Sequence, residues 1–353
     1  MKKKILSLLL VLALMMSVVG CQKAEEKDVP SQKVETKAEE KPAEAPQEEE
    51  KSEEEPVADD YYPVTITTYN YNGEAIEETF EKAPEKVIAI YQSSLENMLA
   101  LGLGDRIIYS AGLDVDVKAE WQDELAKIGT LADKAPDKEA VLDMEPDMIV
   151  SWSSYFGEKK LGDVDFWHER DIKTYIMQNS GIKRPNKLEY EYEDIMNLGI
   201  IFNKVDEAKA LIDAMQSDIE AAQDYTKDKE KVKTVIMEVE KENQFRNYGG
   251  DSIGGNIAEL AGADLVIPLN GSFGPEELIE NDPDVIFTVY FDDTILEDES
   301  VKLITENPAL QSLSAIKNGR VHAIMLSEVY ASGVRTADGI KSIVSGLYPE
   351  LAK

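Results

Sequence analysis

The chain has 353 residues, 43% of them hydrophobic and 30% charged, with one cysteine and a formal net charge of −33. Most of that charge falls on residues 61–353, a balance that repels phosphate backbones and excludes nucleic acid as a partner. A single cysteine excludes a disulfide framework, and the stretch from residue 61 onward exceeds the usual size of one core, so two lobes are expected.

In chain order, Met1-Lys2-Lys3-Lys4 and the apolar run Ile5–Gly20 have the make-up of a secretion signal (residues 1–20), too short for a membrane span. The run ends in Val18-Val19-Gly20-Cys21, which resembles the lipobox of bacterial lipoproteins. That resemblance implies that Cys21 receives lipid and becomes the mature N-terminus, anchoring the protein to the membrane outside the cell. Residues 22–60 are nearly all Lys, Glu, Ala, Pro and Ser, with no aromatic. Such a segment buries too little apolar surface to offset its ordering entropy, so residues 21–60 are expected to be a disordered acidic tether.

Val64–Thr67 alternates as an edge strand, and Asn72-Gly73 turns it into a second strand near Ile76–Phe80. Lys86–Ile90 is a short buried-strand run, and Ser93–Gly102 has helical spacing closed by glycine. Strands follow at Arg106–Tyr109, Asp147–Val150 and Thr174–Met177, with helices at Glu139–Met144 and Phe166–Arg170. Tyr190–Phe202 and Val205–Lys227 are helical, the second with a stripe of Ala208, Leu211, Ile212, Met215, Ile219 and Ala222. The alternation then restarts, with strands at Lys233–Glu238, Ile286–Tyr290 and Arg320–Met325 and helices at Ile253–Ala261 and Thr336–Leu347. This order predicts an α/β fold of two Rossmann-like lobes, each a three-layer α/β/α arrangement, at residues 61–187 and 229–353. Connecting helices, one of them long, occupy residues 188–228.

An internal echo supports two lobes. Glu139 and Glu276 each stand seven residues before a Pro-Asp pair, Pro146-Asp147 and Pro283-Asp284, that leads into a buried strand. With Lys86–Gly104, Asn247–Gly262 and the C-terminal Leu347-Tyr-Pro-Glu-Leu351, these segments resemble, in order, the helix-linked periplasmic binding proteins of ferric siderophore, cobalamin and haem ABC importers. The resemblance runs from about Val64 to the end. It implies an extracytoplasmic, monomeric receptor that captures an iron complex, a ferric siderophore first and cobalamin or haem as alternatives, and hands it to a permease powered by a cytoplasmic ATPase. It also implies that Glu139 and Glu276 meet arginine pockets on that permease. The bland reading of both glutamates is an acid in the first turn of a helix, favoured by the dipole without any partner.

Ligand is expected between the lobes, in loops past the strand ends. These loops offer Tyr91, Gln92, Ser93, Trp152, Tyr155, Phe156, Gln178 and Asn179 from the first lobe. The second offers Arg246, Asn247, Tyr248, Tyr290, Phe291, Tyr330 and Arg335. Aromatic faces and arginines suit a large, flat, partly anionic chelate such as an Fe(III) complex. Taken singly, an aromatic at such a position is more often packing than ligand contact, with Trp152 and Tyr155, clustered directly past a buried strand, the better candidates. The helix linkage implies modest lobe closure. Direct metal binding and a resident cofactor are not expected, since His168 and His322 are the only histidines and lie in helix and strand patterns. Two other classes compete: a surface-adhesion lipoprotein using its aromatic loops, and a serine hydrolase built on Gly250-Asp-Ser-Ile-Gly254 with Ser252, Asp284 and His322 in sequence order. The hydrolase requires Ser252 on a sharp turn straight off a strand, yet it follows the Lys233–Glu238 strand by more than ten residues.

Overall fold

The computed structural model describes residues 61–182, 185–241, 243–291 and 296–351; the signal-like run, Cys21 and the tether lie outside them. The described chain opens with a hairpin in which β1 (Val64–Tyr69) and β2 (Ala75–Phe80) pair antiparallel, Val64 opposite Phe80. Asn70 makes the turn: its Oδ1 accepts the N–H groups of Asn72 and Glu74, and Gly73 takes a φ of 80° that a side chain would resist. β2 docks on the neighbouring sheet through the buried Glu78, which lies 3.2 Å from His168 Nε2 and accepts the Thr174 N–H at 3.3 Å. Burial pushes the Glu78 carboxyl up to about 7, while Lys173 and the Thr174 N–H pull the other way.

The first lobe is an all-parallel sheet of β3 (Val87–Ile90), β4 (Ile107–Ala111), β5 (Leu131–Ala132), β6 (Met148–Ser151) and β7 (Lys173–Ile176), in the order β5-β4-β3-β6-β7. Every residue of β3 and β6 is buried, which is why these strands read as unbroken apolar runs. Ile88 and Ile90 face one core with Val141, Tyr155 and Trp167, whereas Val87 and Ala89 face the other.

Helices Leu188–Ile201 and Val205–Thr226 come next. The second has 22 residues, a span of roughly 33 Å at ~1.5 Å per residue. Its stripe buries Ala208, Ile212, Met215, Ile219 and Ala222, with Leu211 partly buried against the same core. Gly199 permits the two helices to touch, for a Cβ there would stand 2.5 Å from that of Ala208.

The second lobe is a six-stranded mixed sheet of β8 (Val232–Lys241), β9 (Gln244–Asn247), β10 (Ala263–Leu265), β11 (Gly271–Phe273), β12 (Val285–Tyr290) and β13 (Val321–Met325). Its order is β11-β9-β8-β12-β13, with β10 also on β8. β10, β12 and β13 run parallel to their neighbours, while β9 folds back on β8 and β11 on β9. Ile286 faces an outer core, and Val285, Phe287 and Val289 face an inner one that continues through Met215 and Ile219 to Val87 and Met148. The fold is therefore two Rossmann-like lobes joined by a long helix, with one apolar core passing through the junction.

The Pro-Asp echo is structural too. Helices Lys138–Met144 and Pro275–Asn281 both end in a left-handed residue, Glu145 (φ 46°) and Asp282 (φ 40°). Asp147 and Asp284 then donate their N–H groups to the carbonyls of Lys86 and Lys233, at the start of each lobe's leading strand. Strands β5, β9, β10 and β11 and the helix Glu297–Thr305 add to the elements expected from the sequence.

Candidate ligand cleft

The strand ends of the first lobe supply an aromatic surface. Tyr91 turns β3 into helix Gln92–Ala100 and takes a φ of 75° itself, a conformation that costs a non-glycine residue about 1–3 kcal/mol and clusters at functional sites. Its ring lies 4.7 Å from that of Trp152, which follows β6. Trp152 in turn meets Tyr330 of the second lobe edge-on at 6.0 Å. All three rings are half-buried, and they form a wall that crosses from one lobe to the other. The exposed Lys160 donates to the Tyr91 hydroxyl at 2.6 Å, with its ammonium 5.3 Å from the ring centre. On the second lobe the exposed Arg246 stands over the Tyr248 ring at 5.4 Å, and Tyr290 is half-buried at the end of β12.

Several expected contact residues stand behind this wall. Trp152 Nε1 donates to Ser93 Oγ at 2.8 Å, and Ser93 is 1% exposed. Gln92 Oε1 accepts the N–H groups of Asp114 and Val115. Tyr155, fully buried, donates to the Pro136 carbonyl at 2.6 Å, and burial raises its phenol well above the ordinary value. Tyr248 is buried and donates to Glu238 at 2.8 Å; burial, then that carboxylate, raises its phenol. Gln178 and Asn179 are buried, and both hydrogen-bond to the connecting helix Leu188–Ile201. Phe156 packs into the first-lobe core, and Asn247 donates to the carbonyls of Ile267 and Leu269.

Arg335 departs most from expectation. Its fork is closed by Glu96, with Nε to Oε2 at 2.6 Å and Nη2 to Oε1 at 2.7 Å, and Nη2 also reaches the Asp116 carbonyl. It is an internal strut. The cation that stands at the wall instead is Lys160, and its sequence signal was the pair Lys159-Lys160 directly after the aromatic loop.

Glu139 and Glu276 are both exposed in the first turns of their helices. Ser252 is a helix cap: its Oγ donates to the Gly249 carbonyl and accepts the Gly255 N–H. His322 instead packs on Phe287, with ring centres 5.7 Å apart, so Ser252 and His322 are each engaged by structural neighbours. Among the described residues no group of three or more His, Cys, Asp or Glu is placed to hold a metal ion, and no helix is long and apolar enough to cross a membrane.

Comparison with known proteins agrees with this fold. Residues 87–325 match the family model described as "Periplasmic binding protein". A periplasmic binding protein from Veillonella parvula DSM 2008 superimposes with a TM-score of 0.76 at 34% identity, covering 82% of this chain and 92% of the other. The ABC transporter substrate-binding lipoprotein YvrC of Bacillus subtilis (strain 168) is 23% identical over 306 residues, 83% of this chain and 88% of its own. The petrobactin-binding protein YclQ of the same organism is 26% identical over 268 residues, 71% of this chain and 78% of its own, and its crystal structure aligns with a TM-score of 0.61.

Proposed function

The chain belongs to the periplasmic binding protein family, and from that premise we propose that it captures an iron chelate, a ferric siderophore, between its lobes for delivery to an ABC permease. At the coarser level it is the substrate-binding protein of an ABC importer of the siderophore and haem type. The observation that carries the finer reading is the wall Tyr91–Trp152–Tyr330, shared between the lobes, with Lys160 beside it and Arg246 exposed on the second lobe. The exposed parts of these rings offer apolar faces to the organic arms of a chelate, and the two cations are suited to charge-assisted hydrogen bonds with its anionic groups. Because the rest of the chain is so acidic, selectivity for an anion depends on those local cations. The ligand set is Tyr91, Trp152, Tyr330, Lys160, Arg246 and Tyr290, with Ser93, Gln92, Tyr155 and Tyr248 supporting it.

Glu139 and Glu276, exposed at matching places in the two lobes, are the proposed contacts to the permease, and lipid on Cys21 the proposed anchor. The test is an absorbance titration with hydroxamate, catecholate and carboxylate ferric siderophores, haem and cobalamin. Saturable one-to-one binding of a ferric siderophore supports the proposal. Binding of haem or cobalamin alone replaces the ligand, and binding of none of them removes the chelate assignment.

A further inference from the structure

Three consecutive residues, Gly333–Arg335, tie the second lobe to the first lobe and the connecting helix, next to the ion pair of Lys118 with Asp338 at 2.8 Å. Gly333 donates its N–H to Glu191 Oε2 at 2.8 Å, and Val334 donates to Asn97 Oδ1 at 2.8 Å. Arg335 closes the bidentate pair with Glu96. The acceptors come from two different elements: Glu96 and Asn97 from the first-lobe helix Gln92–Ala100, and Glu191 from the connecting helix Leu188–Ile201. All are buried, Glu96 and Asn97 at 0%, Glu191 at 1% and Arg335 at 6% exposure. The segment is shaped for this contact, since Ala331 (φ 45°) and Gly333 (φ 56°) are left-handed. A Cβ on Gly333 would lie 2.3 Å from Asn97 Oδ1 and 2.9 Å from Ser93 Cβ.

The same place borders the aromatic wall twice. Ser93, against which Gly333 packs, holds the Trp152 indole N–H. Tyr330, three residues before Gly333, rests on the Trp152 ring. A planar arginine fork on a carboxylate has one geometry, and breaking it in a buried site strands a charge. One such fork, flanked by two buried backbone N–H bonds on the preceding residues, restrains how the lobes sit against each other.

We propose that Glu96, Asn97 and Glu191 with residues 333–335 form a clasp that sets the lobe separation and holds Trp152 and Tyr330 in register across the cleft. These are positioning residues that make no ligand contact. The functional meaning of the clasp rests on the wall being the ligand site, but its test needs no ligand, so failure of one leaves the other standing.

The experiment uses the full chain carrying Cys21→Ala, with nitroxide labels on cysteines introduced at the exposed Glu169 and Lys317, one per lobe. Pulsed electron paramagnetic resonance reads the interlobe distance distribution. The indole N–H resonances of the three tryptophans read the wall, Trp152 being assigned by its loss in Trp152→Phe. In Glu96→Gln with Arg335→Met we expect the distribution to broaden at least about twofold and the Trp152 resonance to move. Trp167, fully buried in the first lobe, should stay in place and report that the lobe is folded. The reversed pair Glu96→Arg with Arg335→Glu should narrow the distribution again. Should the double variant not fold, Arg335→Lys keeps the charge and loses the fork, and an intermediate broadening is expected. A folded variant with an unchanged distribution and an unmoved Trp152 overturns the proposal.

Discussion

Replacing Glu78 by glutamine should make the protein more stable in alkaline solution and leave it nearly unchanged in acid. Glu78 is 5% exposed, and desolvation lifts its carboxyl from an ordinary 4.5 to about 7 in the fold. A folded value above the unfolded one means that the neutral form is favoured by folding. Its contribution is therefore full below pH 4.5, fades as pH rises, and is lost above about 7. The shift corresponds to roughly 3 kcal/mol at ~1.36 kcal/mol per unit. Glutamine keeps the shape and the acceptor for the Thr174 N–H but has no charge to bury. Urea unfolding followed by circular dichroism from pH 4.5 to 8 should give matching stabilities at the acid end and a gap of about 3 kcal/mol favouring Glu78→Gln at pH 8. Glu191, which burial raises to about 7, is present in both chains and cancels to first order; His168, 3.2 Å from Glu78, is changed in both chains by His168→Gln so that its own titration does not enter. A gap that does not change with pH would refute the reasoning.

Trp152→Ala should weaken chelate binding by roughly 30-fold, about 2 kcal/mol for loss of a central aromatic, with Trp152→Phe keeping part of it; calorimetric titration checks both. Glu139→Ala together with Glu276→Ala should leave affinity within a factor of two or so, because both side chains are exposed in first helical turns and neither is bonded to a wall residue in any contact described above, yet abolish uptake by whole cells. Unchanged uptake would remove the docking assignment. Met215→Ala in the connecting helix, at 1% exposure, should cost about 2–5 kcal/mol of stability in denaturant unfolding through the cavity it leaves.

The fold was largely legible because parallel strands covered on both faces write themselves as short apolar runs. Lys86–Ile90 and Ile286–Tyr290 fall within a residue of β3 and β12. The sheet edges were not legible. Gln244-Phe-Arg-Asn247 carries one buried apolar side chain, and Asn247 is held by backbone carbonyls at residues 267 and 269, a partnership that no local period reports. The helix Glu297–Thr305 opens with three acids and buries only Ser300 and Ile304, too little for a stripe.

At the site, Tyr91 and Trp152 were legible as aromatics at the sheet's end because each directly follows a buried strand. Arg335 and Tyr248 were expected at the ligand, yet the buried Glu96 and the half-buried Glu238 take their polar groups. Glu96 lies 239 residues from Arg335, and nothing in the sequence pairs them. That pairing is decided by the packing of the lobes.

The most direct test of a ligand seated on the wall is quenching of intrinsic fluorescence by a ferric siderophore in the wild-type chain and in Trp152→Phe. Trp121 and Trp167 are the only other tryptophans, and Trp167 is sealed in the first-lobe core. The predicted result is quenching that saturates at one equivalent in the wild type and largely disappears in Trp152→Phe. Quenching of the same depth in both chains would contradict it.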